Sequence, residues 1–216
     1  KVSKELYDDG VRIIIGPVFN ESTKYLDDLK EITFISFTNK LIDNPENVIS
    51  AGVNAISQIQ TIKKFNKKNN LLKSIILIPR SEFKKEIEVA INKTKIKHKK
   101  VFYYDREPTK LTKQIENLTE YEVRKKNLKN EIERIKNLSF KDKEKKIQNL
   151  KKKDTLGSIN FDSVIIADFD ENLKSVATSL LYTDVSSKRI SYITLNQWFD
   201  ESLLRESSIH PIYFPS

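Results

Sequence analysis

The stretch Gly10–Asn39, GVRIIIGPVFNESTKYLDDLKEITFISFTN, decides the fold class of this chain. Val11–Ile15 is a short run of mostly β-branched residues, which is typical of a strand buried on both faces. Thr33–Phe37 has the same character and predicts a second strand. Between them, Leu26 and Leu29 are spaced as on the apolar stripe of a helix. The order strand, helix, strand favours an α/β fold with a parallel sheet.

Polar residues follow the carboxyl ends of both predicted strands. They are Asn20–Thr23 after the first strand and Ser36–Asn39 after the second. In an open parallel sheet, ligands bind beyond the carboxyl ends of the strands. We therefore expect both segments to lie on one rim of the sheet.

The rest of the chain continues the α/β pattern. Further strands are predicted at Leu72–Pro79, Val101–Tyr104, Val164–Ala167, Ile190–Leu195 and Ile212–Phe214. Helices are predicted at Lys1–Asp9, Ala55–Phe65, Ser81–Asn92, Asn172–Tyr182 and Asp200–Glu206. Ser81 is in a position to cap its helix. Val48–Gly52 is interpreted as a crossover between two lobes.

The segment Leu111–Lys153 is unusually long and charged, with fourteen basic and seven acidic side chains, net +7. Its apolar residues predict two helices that are separated near Ser139–Phe140. This pattern favours a helical hairpin that projects from the sheet. A solvated insertion without fixed structure is the alternative. As a functional element, the hairpin would be a contact arm for another protein, with Lys125, Lys126 and Lys129 on its surface.

Composition limits the possible functions. The chain has 216 residues, no cysteine, two histidines and a net charge of +9. Disulfides, thiolate catalysis and cysteine-based zinc sites are therefore excluded. No HExxH, GxSxG or GxxxxGK[ST] motif is present, so we expect neither an enzyme nor a cofactor or metal site. The lysine-rich blocks contain no interleaved aromatic platform, which argues against nucleic-acid binding.

The sequence resembles the type I periplasmic binding proteins, the group of the branched-chain amino-acid receptors. The resemblance rests on IIIGP followed by a polar turn, on the second strand that ends in a small-residue turn, and on the later segments LKSIILIP, FDSVIIADF and ISYITLNQW. It implies a two-lobe α/β fold with parallel sheets and helices on both faces. Residues 1–50 would be an incomplete lobe one and residues 51–216 lobe two, with the helical-hairpin insertion 111–153.

The resemblance also implies a ligand cleft between the lobes. Its residues would be Asn20, Glu21, Ser22, Thr23, Thr38, Asn39, Phe83, Asp168 and Trp198. The receptors bind the carboxylate of an amino acid at a helix start and its ammonium with acids of lobe two. Glu21 would repel a carboxylate, and Phe83-Lys84 stands where the receptors usually carry Tyr-Gly. Glu21 and Ser22 as helix-start residues are an equally good reading, and Asp168 could instead cap the following helix.

Within this superfamily, the sequence looks most like the penicillin-binding protein activators. The charged insertion that ends in DTLG and the stretch YITLNQWFDESLL carry this likeness. It implies a regulatory domain of an envelope lipoprotein in the periplasm that activates a peptidoglycan synthase. Any membrane attachment would be through an anchor to the outer membrane, outside this chain. The alternative is a solute-binding subunit of an ABC importer, whose partners would be an amino-acid ligand and a permease.

Overall fold

The computed structural model describes residues 2–39, 44–139, 141–196 and 201–216. The chain divides into two compact units. Unit 1 comprises Lys1–Lys64 and Glu82–Ile96, and unit 2 comprises Phe65–Ser81 and Lys97–Ser216. These bounds differ from the lobe boundary at residue 50, because residues 51–64 and 82–96 are grouped with the first sheet. The lobe boundary itself stays a prediction.

Unit 1 contains a sheet of three parallel strands in the order β1-β2-β3. The strands are β1 Ile13–Ile15, β2 Thr33–Ser36 and β3 Val48–Ser50. The helices are α1 Val2–Asp8, α2 Ala55–Lys68, which runs across the division, and α3 Lys84–Thr94. The parallel pairing of β1 with β2 confirms the first two strands. Val48–Ser50, within the crossover predicted at Val48–Gly52, forms a third strand that pairs with Phe34–Ser36. Its role as a crossover between lobes stays a prediction.

The helix predicted from Leu26 and Leu29 is also wrong. Asn20–Tyr25 is a short 3-10 helix, and successive turns with hydrogen bonds between residues three apart follow it. The side-chain amide of Asn47 donates to the carbonyls of Leu26, Leu29 and Ile32, at 3.0, 2.9 and 3.2 Å. This distant amide satisfies backbone acceptors that an α-helix would have satisfied internally. The two leucines still pack against the buried cluster of this unit, as their spacing indicated.

Unit 2 contains a five-stranded sheet, and all its strand pairs are parallel. The strands are β4 Ser74–Pro79, β5 Lys100–Tyr104, β6 Ser163–Ile166, β7 Ser191–Thr194 and β8 Ile212–Tyr213. Their order is β5-β4-β6-β7-β8. The helices are α4 Pro108–Leu118, α5 Tyr121–Lys136, α6 Lys143–Lys151, α7 Asp170–Tyr182 and α8 Glu201–Arg205. The strands predicted at Leu72–Pro79, Val101–Tyr104, Val164–Ala167 and Ile190–Leu195 are therefore confirmed as neighbouring parallel strands of one sheet.

The main core of unit 2 joins one face of this sheet to helices α4 and α7. Leu77, Val164 and Ile166 contribute from the strands, and Leu111 and Leu173 contribute from the helices. Every residue of β4 and β6 is buried, as the apolar runs without alternation indicated. The α/β class with parallel sheets and flanking helices is thus confirmed.

The insertion begins later than the sequence indicated. Leu111 and Ile115 are 1% and 0% exposed and belong to the main core, so helix α4 is a crossover helix of the sheet. Pro108 in its first turn and the Glu107 carboxylate, which accepts from two backbone N–H groups, define its start. The predicted hairpin consists of α5 and α6, which we call the arm, Tyr121–Lys151.

The predicted cap of helix α3 is wrong as well. The helix begins at Lys84, and its N-cap residue Phe83 makes no side-chain cap hydrogen bond. The Ser81 hydroxyl is buried, and it has no hydrogen-bond partner within the described residues. Among all the helices that the structure describes, none is both long enough and apolar enough to cross a membrane.

Candidate functional site

A polar cluster lies at the carboxyl edge of the five-stranded sheet. Tyr104 is the last residue of β5, Thr194 is the last residue of β7, and Asp168 lies two residues after β6. Since parallel strands end at the same edge, positions far apart in sequence come together there. The Thr194 hydroxyl donates to the carbonyl of Ile166 at 3.1 Å. This bond ties the ends of β6 and β7 together beside Asp168.

The Asp168 carboxylate is the centre of this cluster and is 0% exposed. Its Oδ2 accepts from the Tyr104 hydroxyl at 2.7 Å and from Arg106 Nε at 3.1 Å. Its Oδ1 accepts from Arg106 Nη2 at 2.7 Å and from the backbone N–H of Phe169 at 3.0 Å. Both carboxylate oxygens are therefore engaged, and the guanidinium contact is bidentate, which is the strong form of this pair.

Burial and charge explain the titration behaviour of this cluster. Burial, followed by the Asp168 carboxylate, raises the pKa of Tyr104 well above its usual value. The hydrogen bond to Asp168 raises the pKa of Arg106. The Arg106 side chain is 41% exposed, so the cluster presents a cationic group to solvent above a buried carboxylate.

The sequence predicted Asp168 as a site residue but not its partners. The alternative that Asp168 caps the following helix is wrong, because helix α7 has Phe169 at its N-cap and no side-chain cap hydrogen bond. Tyr104 and Arg106 were missed. The available signal was the segment Tyr104-Asp105-Arg106 at the carboxyl end of a predicted strand, at the edge where Asp168 was also expected.

The rim of unit 1 brings its two loops together, as expected for neighbouring parallel strands. The Ser36 hydroxyl donates to the carbonyl of Pro17 at 2.6 Å and accepts from the Thr38 N–H at 3.2 Å. Gly52 approaches the second loop closely, since an added Cβ would lie 2.6 Å from the carbonyl oxygens of both Phe37 and Thr38. The second loop is thus fixed by backbone packing as well as by hydrogen bonds.

The predicted ligand residues of unit 1 differ in exposure. Glu21, Ser22 and Asn39 are exposed, and Phe83 is half-buried. Thr23 and Thr38 are 1% and 4% exposed. Asn20 begins the 3-10 helix, but its side chain, like the whole of Trp198, lies outside the described residues. The ligand role of all these residues stays a prediction.

The three lysines assigned to the arm are exposed on helix α5 but differ in their partners. Lys125 pairs with Glu122 at 3.6 Å and lies over the ring of Tyr121, 5.0 Å from its centroid. Lys126 and Lys129 have no acidic partner within the described residues. Their charges are therefore the more available to an anionic surface.

Metal binding has no evident site in the described part of the chain. No group of three or more His, Asp or Glu side chains there is placed to hold an ion. Asp105 and Asp168, which follow β5 and β6, are instead engaged by side-chain amide, hydroxyl or guanidinium donors.

Comparison with known proteins rests on structure alone. No family model matches the sequence, and no curated protein matches it. The C-domain of LpoA from Haemophilus influenzae, a regulator of PBP1A, superimposes with a TM-score of 0.55 at 8% identity, over 90% of this chain and 50% of that one. Full-length LpoA from the same organism gives 0.53 at 9% identity, over 90% and 29%. A branched-chain amino-acid ABC transporter ligand-binding protein from Burkholderia xenovorans gives 0.47 at 8% identity, over 89% and 45%.

These likenesses concern the fold, because the identities are low. The chain spans about half the length of the LpoA C-domain that it matches. The parallel sheets and the polar carboxyl edges agree with the resemblance identified from sequence. The chain therefore has the fold of the type I periplasmic binding proteins, and its structure is similar to the C-domain of LpoA.

Proposed function

We propose that this chain is a regulatory domain of a periplasmic lipoprotein, anchored to the outer membrane, that activates a peptidoglycan synthase. The similarity to the LpoA C-domain supports this class, because that protein is a regulator of PBP1A. The other structural neighbours are binding proteins, so an enzymatic role has no support among them. The activity belongs to the proposal and does not follow from the fold.

The engagement of Asp168 carries the proposal. A receptor for amino acids needs an acid that can reach the ligand ammonium. Asp168 is the one acid of lobe two among the predicted cleft residues, but it is 0% exposed and accepts hydrogen bonds from the Tyr104 hydroxyl, from two nitrogens of Arg106 and from the Phe169 N–H. An incoming ammonium would have to displace Arg106 or leave the buried Tyr104 hydroxyl without an acceptor. Either change costs about 1–3 kcal/mol or more, which disfavours an amino-acid clamp at this edge.

The arm supplies the surface for a protein partner. Residues 121–151 carry eleven basic and five acidic side chains, net +6. Lys125 and Lys129 are one helical turn apart on α5, and like charges at this spacing destabilise a helix by about 0.2–0.5 kcal/mol. A row of this kind does not serve the stability of the arm, so an anionic partner surface is the better account of it.

The proposal is tested by co-precipitation of the full-length protein with a peptidoglycan synthase of the same cell. The variant Lys125→Glu, Lys126→Glu, Lys129→Glu should bind less synthase, and its binding should lose much of its salt dependence. Lys64→Glu, Lys67→Glu, Lys68→Glu is the matched control, because it makes the same change of charge on the exposed face of helix α2. If both variants bind the same amount of synthase, the lysines of the arm do not take part in the interaction.

A solute-binding subunit of an ABC importer is the second candidate. The observation that favours it is the ordered rim of unit 1, where the Ser36 hydroxyl links the two predicted ligand loops through the Pro17 carbonyl. Calorimetric titration with leucine, isoleucine and valine separates the candidates. The regulatory proposal predicts no binding tighter than about 1 mM, equivalent to roughly 4 kcal/mol. Micromolar binding would favour the importer.

A further inference from the structure

A buried arginine lies at the base of the arm. Arg124, in the first turn of helix α5, is 3% exposed, although arginine is rarely buried to this degree in proteins. Neither the predicted ligand cleft nor the surface lysines of the arm make use of it. A residue of this kind needs a structural or functional explanation, because an unpaired buried charge is strongly destabilising.

The guanidinium of Arg124 bonds to three separate segments of unit 2. Its Nε donates to the carbonyl of Thr119 at the end of helix α4, at 2.8 Å. Its Nη1 donates to the Thr155 hydroxyl in the return loop after the arm, at 2.9 Å. Its Nη2 donates to the carbonyl of Thr183 at the end of helix α7. The planar fork therefore fixes the start of the arm relative to both crossover helices at once.

Helix ends compensate the charge of Arg124. Thr119 and Thr183 are the C-cap residues of α4 and α7, where the helix dipoles carry partial negative charge. Among the described residues, no carboxylate contacts the guanidinium directly. Asp184 acts at one remove, since the Thr155 hydroxyl donates to its Oδ2 at 2.6 Å. Burial lowers the pKa of Arg124, and the nearby Asp184 opposes this effect.

Other contacts reinforce the same junction. The rings of Tyr121 and Tyr182 lie 5.3 Å apart between centroids, which joins the start of α5 to the end of α7. The Leu156 N–H donates to the Arg124 carbonyl at 3.0 Å, which joins the return loop to α5. All these contacts lie within one turn or two of the base of the arm.

The arm has a small apolar core of its own, against which Leu156 of the return loop also packs. Leu128 and Ile135 of α5 pack with Ile147 and Leu150 of α6, in a cluster separate from the main core of unit 2. The arm is thus a two-helix body that holds itself together along its length. Its direction relative to the sheet depends on the contacts at its base.

We infer that Arg124 is a positioning residue that locks the direction of the arm relative to the sheet of unit 2. The structural role of Arg124 does not depend on the proposed function. Its consequence does rest on the proposed function, and it is that the partner binds lysines whose positions are fixed. Preorganisation of this kind raises affinity by lowering the entropy lost on binding. The geometry at the base of the arm is tested without any partner.

The test measures distances by pulsed electron paramagnetic resonance. The chain has no cysteine, so the substitutions Asn137→Cys at the turn of the arm and Thr178→Cys on α7 introduce the only two labelling sites. In the Arg124→Met background the distance distribution should become about twofold wider or more, as expected when one anchored element opens locally. Arg134→Met is the matched control, because Arg134 lies on the same helix and pairs with Glu131 at the surface. It should leave the distribution unchanged.

Conservative variants separate geometry from charge. Arg124→Lys keeps the charge but loses the planar fork, so it should broaden the distribution nearly as much as Arg124→Met. Thr155→Ser keeps the hydroxyl and should behave as the parent, whereas Thr155→Val should broaden the distribution. This pair also tests the inference if Arg124→Met does not fold. Equal widths in Thr155→Val and Thr155→Ser, or in Arg124→Met and Arg134→Met, would overturn it.

The consequence for the partner is measured separately. Arg124→Met should weaken synthase binding about tenfold, equivalent to 1.4 kcal/mol, while the lysines at the surface are unchanged. If the parent protein does not bind the synthase, the proposed function fails and the distance measurement still decides the role of Arg124. If the parent binds and Arg124→Met binds equally, the direction of the arm does not matter for the partner, and the consequence is refuted.

Discussion

The substitution Tyr104→Phe isolates the buried hydrogen bond to Asp168. It removes one hydroxyl and leaves the ring in a site that is 0% exposed. The acceptor is a carboxylate, and hydrogen bonds to charged groups contribute about 1.5–3 kcal/mol. The remaining three donors keep both Asp168 oxygens engaged, so we expect a loss within that range, about 2 kcal/mol.

Tyr192→Phe provides the matched control in the same unit. Tyr192 is 1% exposed and donates to the carbonyl of Val185, a neutral acceptor. The same deletion should therefore cost only about 0.5–1.5 kcal/mol. The free energy of unfolding of both variants is measured by urea denaturation with circular dichroism. A loss in Tyr104→Phe no larger than that in Tyr192→Phe would refute the reasoning that Asp168 is a strong, fully engaged acceptor.

Three further predictions concern Tyr104, Gly52 and the arm. Burial keeps Tyr104 protonated in the folded state, whereas the same side chain ionises near pH 10 in the unfolded chain, so the free energy of unfolding should fall as pH rises above 10. Tyr104→Phe should reduce this fall by about 1.4 kcal/mol per pH unit. Urea midpoints across the alkaline pH range measure the difference. Gly52→Ala should lower the free energy of unfolding by about 1–3 kcal/mol, because its Cβ would meet two backbone carbonyls at 2.6 Å. It should also increase hydrogen exchange in β2. Exchange at the rate of the parent protein would contradict the close approach. Replacement of residues 120–153 by a short Gly/Ser linker should leave unit 2 with a cooperative unfolding transition, because the apolar cluster of the arm is separate from the main core. Loss of cooperative unfolding would show that the arm is part of that core.

The strands were predictable because buried parallel strands have a local signature. β4 and β6 are continuous apolar runs, and burial on both faces requires such runs. Five of the seven predicted strands are one or two residues shorter in the structure, the strand predicted at Val164–Ala167 is shifted by one residue, and β5 begins one residue before Val101. The order of the strands in the five-stranded sheet, β5-β4-β6-β7-β8, does not follow from any local pattern and was not predicted from the sequence.

The errors have a common physical cause, which is that distant residues decided the local structure. Leu26 and Leu29 have helical spacing, but the amide of Asn47 supplies donors to three carbonyls of this segment and stabilises a series of turns. Likewise, Asp168 has the local sequence of a helix cap, but Arg106 and Tyr104 come from another strand end. Hydrophobic periodicity indicates which side chains are buried. It predicts the type of secondary structure only where no residue distant in sequence supplies competing backbone hydrogen bonds.

The arm shows how charge can obscure an element boundary. Leu111–Lys153 reads as one charged insertion, yet its first turns belong to the crossover helix α4. The signals for that division were present, since Pro108 follows a Glu at the N-cap position. Arg124 could not be singled out from the sequence, because the burial of a charged residue depends on three segments that meet only in the folded protein.

The central claim is that this chain regulates a peptidoglycan synthase, and the rate of glycan polymerisation tests it most directly. Purified synthase is assayed with increasing amounts of the full-length protein, and with the variant Lys125→Glu, Lys126→Glu, Lys129→Glu. The account predicts a saturable increase in rate with the parent protein, which the variant reaches only at a concentration about tenfold higher or more, equivalent to 1.4 kcal/mol of binding free energy. An unchanged rate at saturating protein, together with micromolar binding of leucine, isoleucine or valine, would contradict it.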